Sequence, residues 1–213
     1  MNKISLSSTF IYEFDIDTSI VDRYLEKFLD CKNVKEYHGY NNDKIKNTSV
    51  ALSATDEQNN VINFYDKDML DYVQLCLDEV SDLYVNFKVV ICDTWVTRTK
   101  FGQIGNWHTH SNSMFSGVVY LTDHNDGHTE FEIRDPLQNK LTPWISQDII
   151  KNINYITRYK PQRGKMLIWP SSLVHRISLS RDKNTRYTLS FNSWPSGQIY
   201  TEVSGRLNIG IKL

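Results

Sequence analysis

The sequence is short of cysteine, of charge of one sign and of long apolar runs, and each shortage removes a class of protein. Cys31, Cys76 and Cys92 stand far apart with no CxxC pair. Neither a disulfide framework nor a thiolate metal knuckle is suggested, and the three read as reduced, mostly buried small residues. Lys and Arg (24) nearly balance Asp and Glu (25), for a formal net charge of -1, so no global field draws the chain to nucleic acid or to an acidic membrane. No stretch approaches the length of a membrane span, and the opening "MNKISLSSTFIYEF" lacks an apolar h-region. The expectation is a soluble, intracellular, cytoplasmic protein. There is no Pro- or Ser-rich linker, no internal repeat, no Gly-rich phosphate loop and no Ser-His-Asp or Cys-His signature. Ser171 and Ser172 follow Pro170 without the glycine pattern of a nucleophile elbow.

What is present is a globular composition: 40% hydrophobic and 12% aromatic residues against 23% charged, over 213 residues. That suffices to bury a real core. Residues 18–31 place Ile20, Val21, Tyr24, Leu25, Phe28 and Leu29 on one helical face behind a cap from Thr18 or Ser19. A second helix is expected from 66 to about 86, with Met69, Val73, Leu77, Val80 and Tyr84 at helical spacing; Met69 is expected in the core. The segment 36–49 is polar and turn-rich, as an exposed loop is.

After residue 88 the period shortens to 2, in "KVVICDTWVTRT", "FSGVVYLT", "TEFEIR", "INYITRYK", "GKMLIWP", "HRISLS" and "RYTLSFNSW". Short β-rich segments between turns argue for an antiparallel sandwich or barrel, with the helices as buttresses. The connection 136–152, which contains Trp144, is long for a hairpin and reads as a lid or a short helix.

In "NWHTHSNSMFSGVVYL", alternation along a strand sends His108 and His110 to one side and Thr109 to the other. Two such imidazoles make two corners of a metal coordination sphere if a third ligand arrives from a neighbouring strand. Taken alone, the pair fits ordinary polar loop residues as well. A later stretch, 161–194, strengthens the metal reading: a Gly turn leads into the apolar strand 165–169, stopped by Pro170, and His175 opens the next strand. Arg186 leads "RYTLSFN", where Arg186, Thr188 and Ser190 share a face. A guanidinium buried on a sheet face asks for an anion, because it has no neutral form to retreat to.

These segments together resemble the Fe(II)- and 2-oxoglutarate-dependent oxygenases, and among them a branch found in bacteria and phages. That branch carries HxH, "SGVYYL", "FxDP", "PxxGxLLxFPSxLxHxV" and "RxSxSFN". Here the segments are His108-Thr109-His110, "SGVVYL" (116–121), "FEIRDP" (131–136), "PQRGKMLIWPSSLVHRI" (161–177) and "RYTLSFN" (186–192).

The resemblance implies a double-stranded β-helix, or jelly roll, in a mainly β (α+β) fold. It implies Fe(II) held by His108 and His175, and 2-oxoglutarate and O2 as cosubstrates. Arg186 would pair with the distal carboxylate of 2-oxoglutarate, Tyr120 would hydrogen-bond that carboxylate, and Ser190 would add a hydroxyl. A core tyrosine and a strand serine remain the alternatives for the last two. Most such proteins have HxD or HxE, whereas His110 stands in the carboxylate's place here. Either His110 is the third ligand, leaving the centre more positive, or Asp135 is, with His110 behind it. Phage encoding would place the protein in the host cytoplasm.

The expected organisation is a single domain over 1–213: helical support at about 1–87, a jelly-roll core at about 88–194 and an extension at 195–213. The strand-like 198–213 would pair with the sheet or with a second copy of the chain. Glu130 and Glu132 are expected at a solvated edge, and His38, His124 and His128 at the surface. Trp107, Trp144, Trp169 and Trp194 are expected to pack, or else to shape the pocket. A cupin would also pair HxH with a later His, but the Glu it requires is replaced by Met114 and Phe115. Zinc hydrolysis would leave Arg186 unexplained. The remaining rival is a non-catalytic jelly roll stapled by a metal. The expected partners are small molecules, a cosubstrate and a substrate that the loops do not name.

Overall fold

The change of period near residue 88 is the change from helix-supported framework to sheet. In a computed structural model, which describes residues 10–37, 48–55, 61–62, 66–132, 156–201 and 205–209, α1 spans Thr18–Leu29 and α2 spans Lys67–Ser81. Both helices begin at an aspartate. Asp17 accepts the Ser19 N–H, and Asp66 accepts those of Asp68 and Met69, which satisfies first-turn donors that have no partner within the helix. The cap of α1 thus lies one residue before the Thr18 or Ser19 expected. Both helices also stop early: Leu29 is exposed, and Tyr84 lies beyond α2.

The stripes are otherwise buried as their spacing requires, with Val21, Tyr24 and Phe28 on α1 and Met69, Val73, Leu77 and Val80 on α2. Fully burying each such aliphatic side chain contributes roughly 2 kcal/mol relative to exposure. Asp66 also joins the helices, accepting from Arg23 and Lys27 on α1. Arg23 first, with Lys27 and the Met69 N–H, overcomes the cost of burial and holds the Asp66 carboxyl well below the ordinary carboxylate value.

The strands are β1 Tyr12–Asp15, β2 Val34–Tyr37, β3 Val50–Thr55, β4 Val61–Ile62, β5 Lys88–Thr99, β6 Phe115–Tyr120, β7 Thr129–Glu132, β8 Ile156–Tyr159, β9 Lys165–Pro170, β10 Val174–Ile177, β11 Arg186–Thr201 and β12 Gly205–Ile209. The larger sheet runs β1-β9-β6-β11-β5-β3-β2, with β12 paired to β11 and β4 to β3; the smaller runs β10-β7-β8. All these pairs are antiparallel. The result is a mainly β double-stranded β-helix buttressed by α1 and α2. The carboxy-terminal strand pairs within the chain, as β12 on β11, and Pro170 is the last residue of β9.

The two faces of the larger sheet explain its least periodic strand. On β6, Phe115 and Val119 join the core under the helices, while Val118 and Tyr120 join a second core between the sheets. Every residue of β6 is therefore buried, and the run reads as continuously apolar. Gly117 is required by contact: a Cβ there would lie 2.1 Å from the Phe191 ring and 2.7 Å from the Leu167 carbonyl. Gly164 turns the chain into β9 at φ 85°, a conformation that costs a side chain dearly.

Two expectations are corrected by register. Glu130 is 1% exposed, because β7 is the middle strand of the smaller sheet and its outer face is covered by Arg158 from β8 and Arg176 from β10. His124 is also buried. Its ring nitrogens face the carbonyls of Asp126 (2.6 Å) and Asn184 (2.9 Å), tying two turns together. His128 is half-buried beside Asp126. His38, Asp135, Trp144 and the connection 136–152 lie outside the described residues.

Candidate metal centre

The segment that carries the two histidines runs antiparallel to β10. The His108 N–H donates to the His175 carbonyl (3.0 Å) and the His175 N–H to the His108 carbonyl (3.0 Å); the Gly105 N–H donates to Ile177 (2.9 Å). The segment is not a regular strand but an extended strip with a single bridge. Just beyond, the His110 N–H donates to the Ser171 carbonyl (3.0 Å). This lacing brings His108, His110 and His175 together, one ligand nitrogen of each lying within 4.8 Å of the others.

Carbonyls set the tautomers of two of the three rings. Nδ1 of His108 lies 2.7 Å from the Asn106 carbonyl and Nδ1 of His175 lies 2.8 Å from that of Leu173. A carbonyl only accepts, so each Nδ1 carries the proton and each Nε2 keeps its lone pair, which is how metal-binding histidines are oriented. The Nε2 atoms of His110 and His175 are 3.2 Å apart. Burial first, then the neighbouring His108, lowers His110 to about 4 and His175 to about 3. His110 and His175 are therefore neutral at pH 7 and offer lone pairs to a cation. Trp95 of β5 stacks on His110 (centroids 5.8 Å, 25°) and Trp169 of β9 lies edge-on to His175 (4.9 Å, 67°).

From this cluster a cavity of about 570 Å³ runs between the sheets to Arg186. Arg186 is 1% exposed. Its Nη2 donates to Thr129 Oγ1 (3.3 Å), while Nε and Nη1 have no partner among the described residues. Thr129 is itself bonded to the Tyr120 hydroxyl (2.6 Å), and the guanidinium lies 5.4 Å from the Tyr120 ring centre. Burial lowers Arg186 from its ordinary value, against the pull of Tyr120, and pushes the Tyr120 phenol up to about 12. A buried guanidinium with open donors fits a carboxylate. Three converging imidazoles fit a divalent first-row metal. The residues present thus suit both an iron centre and an anionic chelator.

Of the residues expected at the site, His108, His110, His175, Arg186 and Ser190 line the cavity; Tyr120 adjoins it through Thr129 and Arg186. Ser190 Oγ lies 3.4 Å from Thr97 Oγ1. Trp169 lines the cavity, Trp107 lies under the Arg176 guanidinium (4.3 Å) and Trp194 is exposed. Sequence reasoning missed Trp95 and Thr129. Each lies within a β-rich segment, but only the pairing of Trp95 with Ser190 and the turn of β7 toward Arg186 bring them to the site.

A jelly roll with three imidazoles at one end of its cavity and an open buried cation at the other is a fold and site suited to a metal-dependent enzyme. Residues 93–192 match the family described as "Putative 2OG-Fe(II) oxygenase", a segment that holds the three histidines and Arg186. No curated protein sequence matches it.

Solved structures show the same fold at low identity. HygX from Streptomyces hygroscopicus with nickel and 2-oxoglutarate bound has a TM-score of 0.59 at 11% identity, over 88% of this chain and 83% of that one. The non-heme alpha-ketoglutarate-dependent epimerase SnoN from nogalamycin biosynthesis gives 0.59 at 11%, over 88% and 79%. A Pseudomonas putida prolyl-4-hydroxylase gives 0.55 at 11%, over 87% and 91%. Among the described residues no helix is long and apolar enough to cross a membrane.

Proposed function

We propose that this chain is an Fe(II)- and 2-oxoglutarate-dependent dioxygenase that hydroxylates a small-molecule or side-chain substrate. The observation that carries the reading is the pairing, across one cavity, of a three-histidine cluster with a buried arginine whose Nε and Nη1 have no partner among the described residues. When bound, iron and 2-oxoglutarate supply the oxidising chemistry: O2 is consumed, 2-oxoglutarate is decarboxylated to succinate and CO2, and a C–H bond of the substrate becomes C–OH.

The chain's part is to bind, orient and exclude water. His108, His110 and His175 hold the metal through Nε2, with the Asn106 and Leu173 carbonyls fixing two rings. Arg186 binds the distal carboxylate of 2-oxoglutarate, Tyr120 and Thr129 supply hydroxyls beside it, and Ser190 adds another along the wall. Trp95 and Trp169 flank the histidines and keep the metal end dry. His110 as third ligand replaces the usual carboxylate by a neutral donor, which leaves the centre one charge more positive and favours anionic co-ligands. Because a related fold serves an epimerase, hydroxylation rather than another oxidative outcome belongs to this proposal.

The test is anaerobic titration of the Fe(II)-loaded protein with 2-oxoglutarate, following the weak visible charge-transfer band. The expected result is a band in wild type that is lost in Arg186→Ala, and loss of iron in His110→Ala but not in Asp135→Ala. Full iron binding with no band would sink the oxygenase reading in favour of a metal-stapled jelly roll.

A further inference from the structure

The cavity wall carries another buried donor without a partner. Trp169 is 3% exposed and lines the cavity, and its ring is edge-on to both His175 and Phe131. Its Nε1 meets no hydrogen-bond partner among the described residues. Buried indole N–H groups are normally satisfied, and leaving one open costs as much as a lost hydrogen bond. A phenylalanine would fill the same wall without that cost. Among the described residues, the unpartnered buried side-chain atoms that belong to cavity-lining residues are Nε and Nη1 of Arg186 and Nε1 of Trp169. All three are donors. Arg186 stands at the Thr129 and Tyr120 end and Trp169 beside His175, so each end of the cavity holds a donor without a partner among the described residues.

We propose that the Trp169 indole N–H donates to an oxygen of 2-oxoglutarate at its keto-acid end, beside the histidines, while Arg186 takes the far carboxylate. The inference rests on the functional reading above and adds a positioning residue to it. The bond aligns the chelating end of the cosubstrate with the metal, and it gives the open N–H the acceptor that the protein does not supply.

The experiment uses the full chain, ¹⁵N-labelled and loaded with diamagnetic Zn(II). Of the five tryptophan indole signals, the one absent from Trp169→Phe is assigned to Trp169. Addition of 2-oxoglutarate is expected to move that signal downfield. Calorimetry is expected to show Trp169→Phe binding 2-oxoglutarate about ten-fold more weakly, while the ligand-free variant melts no lower than wild type. Binding to wild type that leaves the Trp169 signal in place, with equal affinity in Trp169→Phe, would overturn this inference alone. Absence of any 2-oxoglutarate binding to wild type would overturn the functional reading and this inference together, so the wild-type titration distinguishes the two failures.

Discussion

Glu130 and Arg186 are both 1% exposed, one on each sheet, yet they are treated in opposite ways. Glu130 accepts from Arg158 and from Arg176, each at 2.7 Å. Burial alone would raise its carboxyl, but the two guanidinium bonds reverse this and hold it below the ordinary value. Among the described residues, Arg186 has one long bond to the Thr129 hydroxyl and no partner for Nε or Nη1, and burial lowers its value against the pull of Tyr120. A buried charge whose partners come from the chain serves the fold, while one held open beside a cavity is kept for a ligand at a cost in stability.

The contrast is broken most sharply by Arg186→Met. Affinity for 2-oxoglutarate should fall by at least about a hundred-fold in the metal-loaded protein, as expected for loss of a buried charge partner. The ligand-free protein should melt at the same temperature or higher, because an unpaired guanidinium is replaced by an apolar side chain of similar length. A large drop in melting temperature would mean that Arg186 has a structural partner. Glu130→Gln should do the reverse: it should destabilise by about 2 kcal/mol in urea unfolding, since two guanidinium groups lose their carboxylate, while the folded variant still binds 2-oxoglutarate.

The histidines extend the comparison to pH. Folded-state values of about 4 for His110 and about 3 for His175 lie below the ordinary 6.5, so between these limits the unfolded chain binds more protons than the folded one. The stability of the metal-free protein should therefore be level above about pH 7. It should fall as acid is added from 6.5 downward, before most carboxylates titrate, and His175→Gln should flatten the slope. A smaller effect is expected at the helix junction. Asp66→Ala should cost about 1 kcal/mol through the lost cap, and the deficit should shrink below pH 4, where the unfolded aspartate takes up a proton that the folded one resists.

Much of this architecture is legible in the sequence, for physical reasons. The apolar stripes of α1 and α2 and the double-sided burial of β6 are local patterns, and burial follows from them directly. That His108, His110, His175 and Arg186 would meet around one cavity was legible because several motifs stand in order; alternation alone does not give it, since the histidine segment is an extended strip with a single bridge. Glu130 looked like an edge residue because alternation tells which face a side chain takes but not what covers that face; the covering arginines come from 28 and 46 residues away. His124 looked exposed because its partners are backbone carbonyls, one of them in a turn 60 residues on. Trp95 escaped notice because its stacking on His110 depends on the pairing of β5 with β11.

The most direct test of the central claim is a crystal structure of the protein grown anaerobically with Fe(II) and 2-oxoglutarate. The account predicts iron on Nε2 of His108, His110 and His175, with 2-oxoglutarate chelating it and its far carboxylate on Nε and Nη1 of Arg186. A metal site that excludes His110, or a 2-oxoglutarate carboxylate bound away from Arg186, would contradict it.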